Sequence, residues 1–401
     1  MIGLAVAACW VAVAGGLTWI VLRRLPALKP VALGVGAVLL LVFLVVTFFD
    51  VPLGSGTDEV VYQNQAEAVS RSLALTGDVT SRYAVLDEGK YGWPAALGTM
   101  YWLSGTTTPY LGVFVNATVA YMTLLLVAAA GQRLFPMTRP TILHVALLVS
   151  APAVVMFGVS LLREPWAWLA ITVGLHALLS AVRDRRAQAA ALLLVSCTLA
   201  FWVRTPLAVI IAAAVGGALV VAWVYRKVGA LGAVAALAGG FVVGLQVLVP
   251  LLAAAGYSPQ QLLVARDYLA AISTTGFLAR DPFTVVGMVE ALARVGFGPL
   301  PWEYRPLAVW GWVLVNHVQW LAVAALALSA LRRRGRDIAR VAVLAFCVVL
   351  LAGIAVGLTN YGIVVRMRAS LVIAVLPLAW GAQALELGRG KAEHKEEVAS
   401  Q

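Results

Sequence analysis

Val31-Ala-Leu-Gly-Val-Gly-Ala-Val-Leu-Leu-Leu-Val-Phe-Leu-Val-Val-Thr-Phe-Phe49 contains no charged residue. At ~1.5 Å of rise per helical residue, a run of this length crosses a hydrocarbon layer about 30 Å thick. Runs like it recur from the first residue to about position 386. They are continuous and rich in Ala, Leu and Val, with none of the alternation a lipid-facing β-barrel requires. Across the 401 residues, 62% are hydrophobic and 12% charged, a balance foreign to soluble globular domains. The reading is all-α: a polytopic helical membrane protein of about eleven transmembrane helices, at 2–22, 31–49, 110–130, 140–160, 165–182, 187–203, 206–225, 230–254, 307–330, 339–358 and 369–386. Residues 1–386 form one transmembrane domain, and 387–401 a short charged tail, expected to be cytoplasmic and disordered.

The connectors fall into two sets. One is short and basic: Arg23, Arg24 and Lys29; Arg133 and Arg139; Arg183, Arg185 and Arg186; Arg226 and Lys227; Arg332, Arg333, Arg334 and Arg336. The positive-inside rule puts these in the cytoplasm and the N-terminus outside, in a multi-pass protein of the cytoplasmic membrane. The net charge of +11 is spread over these loops and not gathered on one element, which argues against nucleic acid as a partner. The second set holds the unusual polar features: 50–109 with seven acids against three bases, Arg163-Glu164-Pro165, Arg204-Thr205-Pro206, 255–306, and Asn360 to Arg368. All of it falls on the extracytoplasmic side. Sidedness downstream turns on 187–225, which reads as two spans or as one broken helix.

The larger extracytoplasmic loops are 50–109 and 255–306. The first opens with Asp58 and Glu59, then shows Ala66, Val69 and Leu73 at helical spacing against Gln65, Glu67 and Ser70, an amphipathic helix expected near the membrane interface. As acids of its first turn, with Thr57 as cap, Asp58 and Glu59 also have a purely structural reading. Ala95 to Leu103 is too short to span and reads as a re-entrant or surface helix. Tyr91, Trp93, Tyr101 and Trp102 fit an interfacial aromatic belt.

A span, Asp58-Glu59 with Tyr62, an Ala-rich amphipathic helix, Gly77-Asp78, then Tyr91-Gly92-Trp93-Pro94 leading to Gly105 and a span ending at Arg133-Leu134-Phe135 resembles the GT-C glycosyltransferases. The resemblance is to the branch holding the bacterial lipid A aminoarabinose transferases and the protein mannosyltransferases, and it covers residues 31 to about 185. It implies transfer of a sugar from a polyprenyl-phosphate donor to a lipid or glycan acceptor on the extracytoplasmic face. It makes Asp58 the catalytic carboxylate, with Glu59 its neighbour or substitute. Two features depart from the family: the acidic pair follows the second span instead of the first, and the familiar C-terminal soluble domain is not expected, so a partner subunit stays open.

The chemistry fits the residue types. A carboxylate accepts the acceptor hydroxyl's proton as the anomeric carbon is attacked, and arginine meets the departing phosphate through its planar fork. Candidates for holding the donor are Arg163, Glu164, Arg204, Arg366 and Arg368, with Tyr62, Lys90 and Tyr91 from the first loop. Asn360-Tyr361-Gly362 is expected to interrupt a helix just before Arg366 and Arg368. Competing readings are a local Arg163–Glu164 ion pair, snorkelling by Arg204, and lipid headgroup contacts by Arg366 and Arg368. A divalent cation, Mg or Mn, is compatible with acids near a phosphate. His144, His176, His317 and His394 lack ligand spacing, Asn116-Ala117-Thr118 is a sequon inside a span, and no phosphate-binding glycine loop occurs. The alternatives are an O-antigen-type polysaccharide polymerase, which would shift catalysis to 255–306 and Arg366, and a transporter or flippase for a lipid-linked sugar.

Overall fold

The computed structural model describes residues 2–49, 57–77, 92–150, 152–240, 280–299, 307–333, 337–357 and 361–382, with 263, 264, 267, 268 and 277 besides. The described residues are helical and contain no strand. Among the described residues, eight helices are long and apolar enough to cross a membrane. The remaining spans of the sequence reading are shorter or reach beyond the described residues, as does the tail from 387.

Helix α1 (Ile2–Arg24) joins α2 (Lys29–Phe49) through a tight turn at Pro26–Leu28. Next come α3 (Thr57–Thr76), α4 (Gly92–Ser104) and α5 (Pro109–Leu134). The expected span at 140–160 is split into α6 (Ile142–Val149) and α7 (Pro152–Gly158). The proline at 152 lacks the N–H that a continuing helix would need, so the ladder ends and restarts there. Then follow α8 (Glu164–Val182), α9 (Arg186–Val203), α10 (Thr205–Val228), α11 (Ala230–Gly240) and α12 (Val285–Phe297). The last three are α13 (Leu307–Arg333), α14 (Ile338–Ala355) and α15 (Tyr361–Ala379).

Helices α5, α8 and α15 occupy the centre and touch one another; α1 and α2 lie against α5, while α9, α10 and α14 close around α8. Small residues let these backbones approach. A Cβ on Gly131 would lie 2.7 Å from the Trp380 ring, and one on Gly174 2.8 Å from Ile211, the close helix contact that membrane bundles use where lipid removes the hydrophobic drive.

Between α9 and α10 the chain breaks at Arg204, whose backbone is extended. Pro206 enters the new helix where no N–H partner exists. Cys197 Sγ lies 3.8 Å from the Ala208 carbonyl across this turn, so 187–225 is a helical hairpin, two spans and not one.

The two ends of the bundle differ in chemistry. At one, Arg183 donates to the Arg133 carbonyl (3.1 Å), Arg340 to the Leu134 carbonyl (3.3 Å) and Trp380 to Gln132 (3.4 Å), joining the termini of α5, α8, α14 and α15. Described residues of the short basic connectors gather there, with Arg24, Arg183 and Arg185 near Arg133. The opposite end carries Asp58, Glu164, Arg204 and Arg366.

Helix α3 keeps its predicted pattern, and Ala66, Val69 and Leu73 are buried against α4. Gly98 makes this possible, since a Cβ there would sit 2.5 Å from the Ala66 carbonyl and 2.6 Å from Val69 Cβ. The aromatic belt is corrected. Trp93 and Tyr101 are buried and bonded, to the Leu161 carbonyl and Gln63 Oε1, each at 2.6 Å; only Trp102 is open, and Tyr91 lies outside the described residues.

Candidate functional site

The site starts from a five-residue link, 159–163, between α7 and α8. A link buried this deeply must satisfy its backbone polar groups within protein. Asn116, fully buried in α5, does most of that: its Nδ2 donates to the Ser160 and Leu162 carbonyls, both at 2.6 Å, while its Oδ1 accepts from Trp166 Nε1 at 3.0 Å. Trp93 Nε1 donates to the Leu161 carbonyl, and the Leu161 N–H donates to Glu59 Oε1 at 3.0 Å. Three elements, α3, α4 and α5, thus fix the link, and the link presents Arg163 and Glu164 at the start of α8.

Arg163 Nη1 donates to the Val203 carbonyl at 3.1 Å, meeting a C-terminal group of α9 that has no helical partner. Glu164 has a side chain only 3% exposed, and its Oε1 stands 3.9 Å from Arg204 Nη2. The local pair with Arg163, one of the competing readings, gives way to this one across the α9–α10 break. Among the described residues, Arg163 Nε and Glu164 Oε2 have no hydrogen-bond partner. The Arg204 side chain, 29% exposed, also reaches Met367 Sδ of α15 at 3.2 Å from Nη1.

Arg366 of α15 binds Asp58 Oδ2, a contact between residues 308 positions apart. Its guanidinium lies 5.9 Å from the Phe157 ring centre of α7, so an aromatic face backs the cation. Asp58 is 41% exposed and Arg366 16%: the acid faces the open side and the base the protein. The two adjacent acids therefore have separate partners, Asp58 on α15 and Glu59 on the 159–163 link. Tyr62, one turn on from Asp58, is buried and acts electrostatically with Arg163, Glu164, Asp58 and Arg204. Burial, only partly opposed by Arg163, raises its phenol above the ordinary range, so Tyr62 is a hydrogen-bond donor and not a base at neutral pH.

Seven residues singled out in the sequence thus come together: Asp58, Glu59, Tyr62, Arg163, Glu164, Arg204 and Arg366. Arg368 does not join them. Helix α15 begins at Tyr361, so Tyr361 and Gly362 are helical where a break was expected, and Arg366 and Arg368 lie inside the helix, roughly 200° apart about its axis. Arg368 is fully buried and donates to the carbonyls of Val295 (2.7 Å), Arg294 (3.2 Å) and Gly298, closing the C-terminus of α12. Lys90 and Tyr91 lie outside the described residues, as does most of 255–306. Sequence reasoning missed Asn116, Trp93 and Trp166; the only signal was a polar residue inside an apolar run, which in a membrane helix always needs a partner.

Chemically, three guanidinium groups and three carboxylates lie at one end of the bundle, Glu164 buried and Asp58 and Glu59 part exposed. Such an arrangement can hold an anion by bidentate hydrogen bonds and take a proton beside it. Among the described residues no group of three His, Cys, Asp or Glu side chains is placed closely enough to hold a metal ion, and Asp58 and Glu59 turn to different partners. Comparison with known proteins gave no match to this chain, whether to a family model, a curated protein or a solved structure.

Proposed function

We propose that the chain is an integral membrane glycosyltransferase of the GT-C type, moving a sugar from a polyprenyl-phosphate donor to a lipid or glycan acceptor at the extracytoplasmic face of the cytoplasmic membrane. Asp58 takes the proton of the acceptor hydroxyl as its oxygen bonds to the anomeric carbon. The bond from that carbon to the donor phosphate breaks, and the phosphate oxygen leaves with the electron pair. Arg366, Arg204 and Arg163 offset the charge that develops there, and the Tyr62 hydroxyl donates to an oxygen of the donor. The observation that carries this reading is the pairing of accessible Asp58 with Arg366: a base and an anion receptor in contact, as a reaction that frees a proton and a phosphate together needs.

The basic connectors at the other end of the bundle support this sidedness. The test is transfer by the purified protein in vesicles supplied with a polyprenyl-phosphate sugar, read as released polyprenyl phosphate. Wild type should release it and Asp58→Asn should not. Release by Asp58→Asn at the wild-type rate would sink the assignment, and movement of the intact donor across the bilayer would replace it with a flippase.

A further inference from the structure

A second feature is independent of this reading. Helices α1, α2 and α5 enclose a groove of about 980 Å³ on the flank of the bundle. Its mouth carries Arg23 and Lys29, both exposed, with the Arg23 guanidinium 5.2 Å from the Trp19 ring centre. Neither cation meets a carboxylate among the described residues. An exposed Trp beside cations is the side-chain signature of the headgroup level of a bilayer. One to two turns deeper, Thr18 Oγ1 and Tyr121 Oη lie 3.1 Å apart. Beyond this polar pair the walls include Gly15 and Gly36 and are apolar apart from Thr118, whose hydroxyl donates to the Phe114 carbonyl, and Phe43 against Phe114 closes the end at 5.6 Å between ring centres. Nothing lies within 4 Å of where a Gly15 Cβ would project.

We infer that this groove is a binding site for one glycerophospholipid with an anionic headgroup, its phosphate at Arg23 and Lys29, its ester region at Thr18 and Tyr121, and an acyl chain along Gly15 and Gly36. Charge, polarity and length agree. From Arg23 to Val11 is ~18 Å along α1, about one leaflet of a hydrocarbon layer ~30 Å thick. A helix from a partner chain needs the full thickness, and the cations at the mouth give an apolar helix nothing to pair with.

The test is native mass spectrometry of the full chain from vesicles of phosphatidylglycerol mixed equally with phosphatidylcholine. Wild type should retain one phosphatidylglycerol in preference to phosphatidylcholine. Arg23→Gln with Lys29→Gln should weaken retention about thirtyfold, from two lost surface cations. Gly15→Leu, which fills open space, should abolish retention while thermal unfolding in neutral detergent stays as in wild type. Equal retention of both lipids, retention unchanged in Gly15→Leu, or cross-linking of a second copy through a cysteine at Gly15 would overturn the inference.

Discussion

Asp58 and Glu59 are neighbours in sequence, yet they point about 100° apart around α3, one to a cation and one to a backbone amide. Replacing each by its amide separates charge from hydrogen bonding. In Glu59→Gln the side-chain oxygen still accepts from the Leu161 N–H, so a charge-assisted bond becomes a neutral one at a cost of about 0.5–1 kcal/mol. The 159–163 link keeps its place, and turnover should stay within about tenfold of wild type. Glu59→Ala leaves that N–H without its acceptor, which costs about 1–3 kcal/mol; the link loosens, Arg163 and Glu164 lose register, and KM for the donor rises more than kcat falls. Asp58→Asn behaves differently. Its pair with Arg366 is part exposed, with 41% and 16% of the side chains open, so after solvent screening the stability lost is about 1 kcal/mol. Removing a general base, by contrast, lowers kcat by about 10²–10⁴. Unfolding in mild detergent and release of polyprenyl phosphate measure the two effects separately. If Glu59→Gln proves as inactive as Asp58→Asn while unfolding like wild type, the division of labour is wrong and Glu59 takes part in the chemistry.

Three further outcomes follow from the same geometry. Arg368→Met should cost about 2–4 kcal/mol of stability, because three carbonyls at the end of α12 lose their donor; loss of donor binding with unfolding unchanged would return Arg368 to the site. Asn116→Leu keeps the volume but removes hydrogen bonds to two carbonyls and an indole, and should cost about 2–4 kcal/mol in detergent unfolding, with donor affinity falling in step as Arg163 shifts. Burial holds the Tyr62 phenol above its usual range, so the folded chain keeps a proton that the unfolded chain releases near pH ~10. That stabilising contribution is whole below about pH 10 and is lost as pH rises through the raised value; thermal unfolding between about pH 9 and 11 should fall less steeply in Tyr62→Phe.

Eight of the eleven expected spans were legible, because hydrocarbon thickness sets one length that a long apolar run must match. The start of α15 was not, since Arg366 and Arg368 lower the hydropathy of its first turns and make a helix look like a connector. The break inside 140–160 escaped notice for the opposite reason: Ser150 and Pro152 sit in an apolar run too strong to look interrupted. Of the site, charges at the ends of spans were readable as a set, because a charge at the membrane edge is costly and calls for a purpose. Which of them meet was not readable. The separation of Arg366 from Arg368 depends on helical phase, and the pairing of Glu164 with Arg204 instead of Arg163 depends on how the α9–α10 hairpin folds back on α8. Asn116 was passed over as an accidental sequon, because the carbonyls it serves lie 44 and 46 residues further along the chain.

The bond between Asp58 and Arg366 spans 308 positions of sequence, which has a consequence for biogenesis. At ~5–20 residues per second of synthesis, the carboxylate leaves the ribosome about 15–60 s before its counterion. Until α15 inserts, a nascent chain holds Asp58 without its Arg366 partner, a state that differs from the finished protein in charge as well as in packing. A membrane-embedded protease or chaperone sensitive to that acid would discriminate chains before and after the insertion of α15 at a single position, and α15 would be the helix that releases the protein from surveillance.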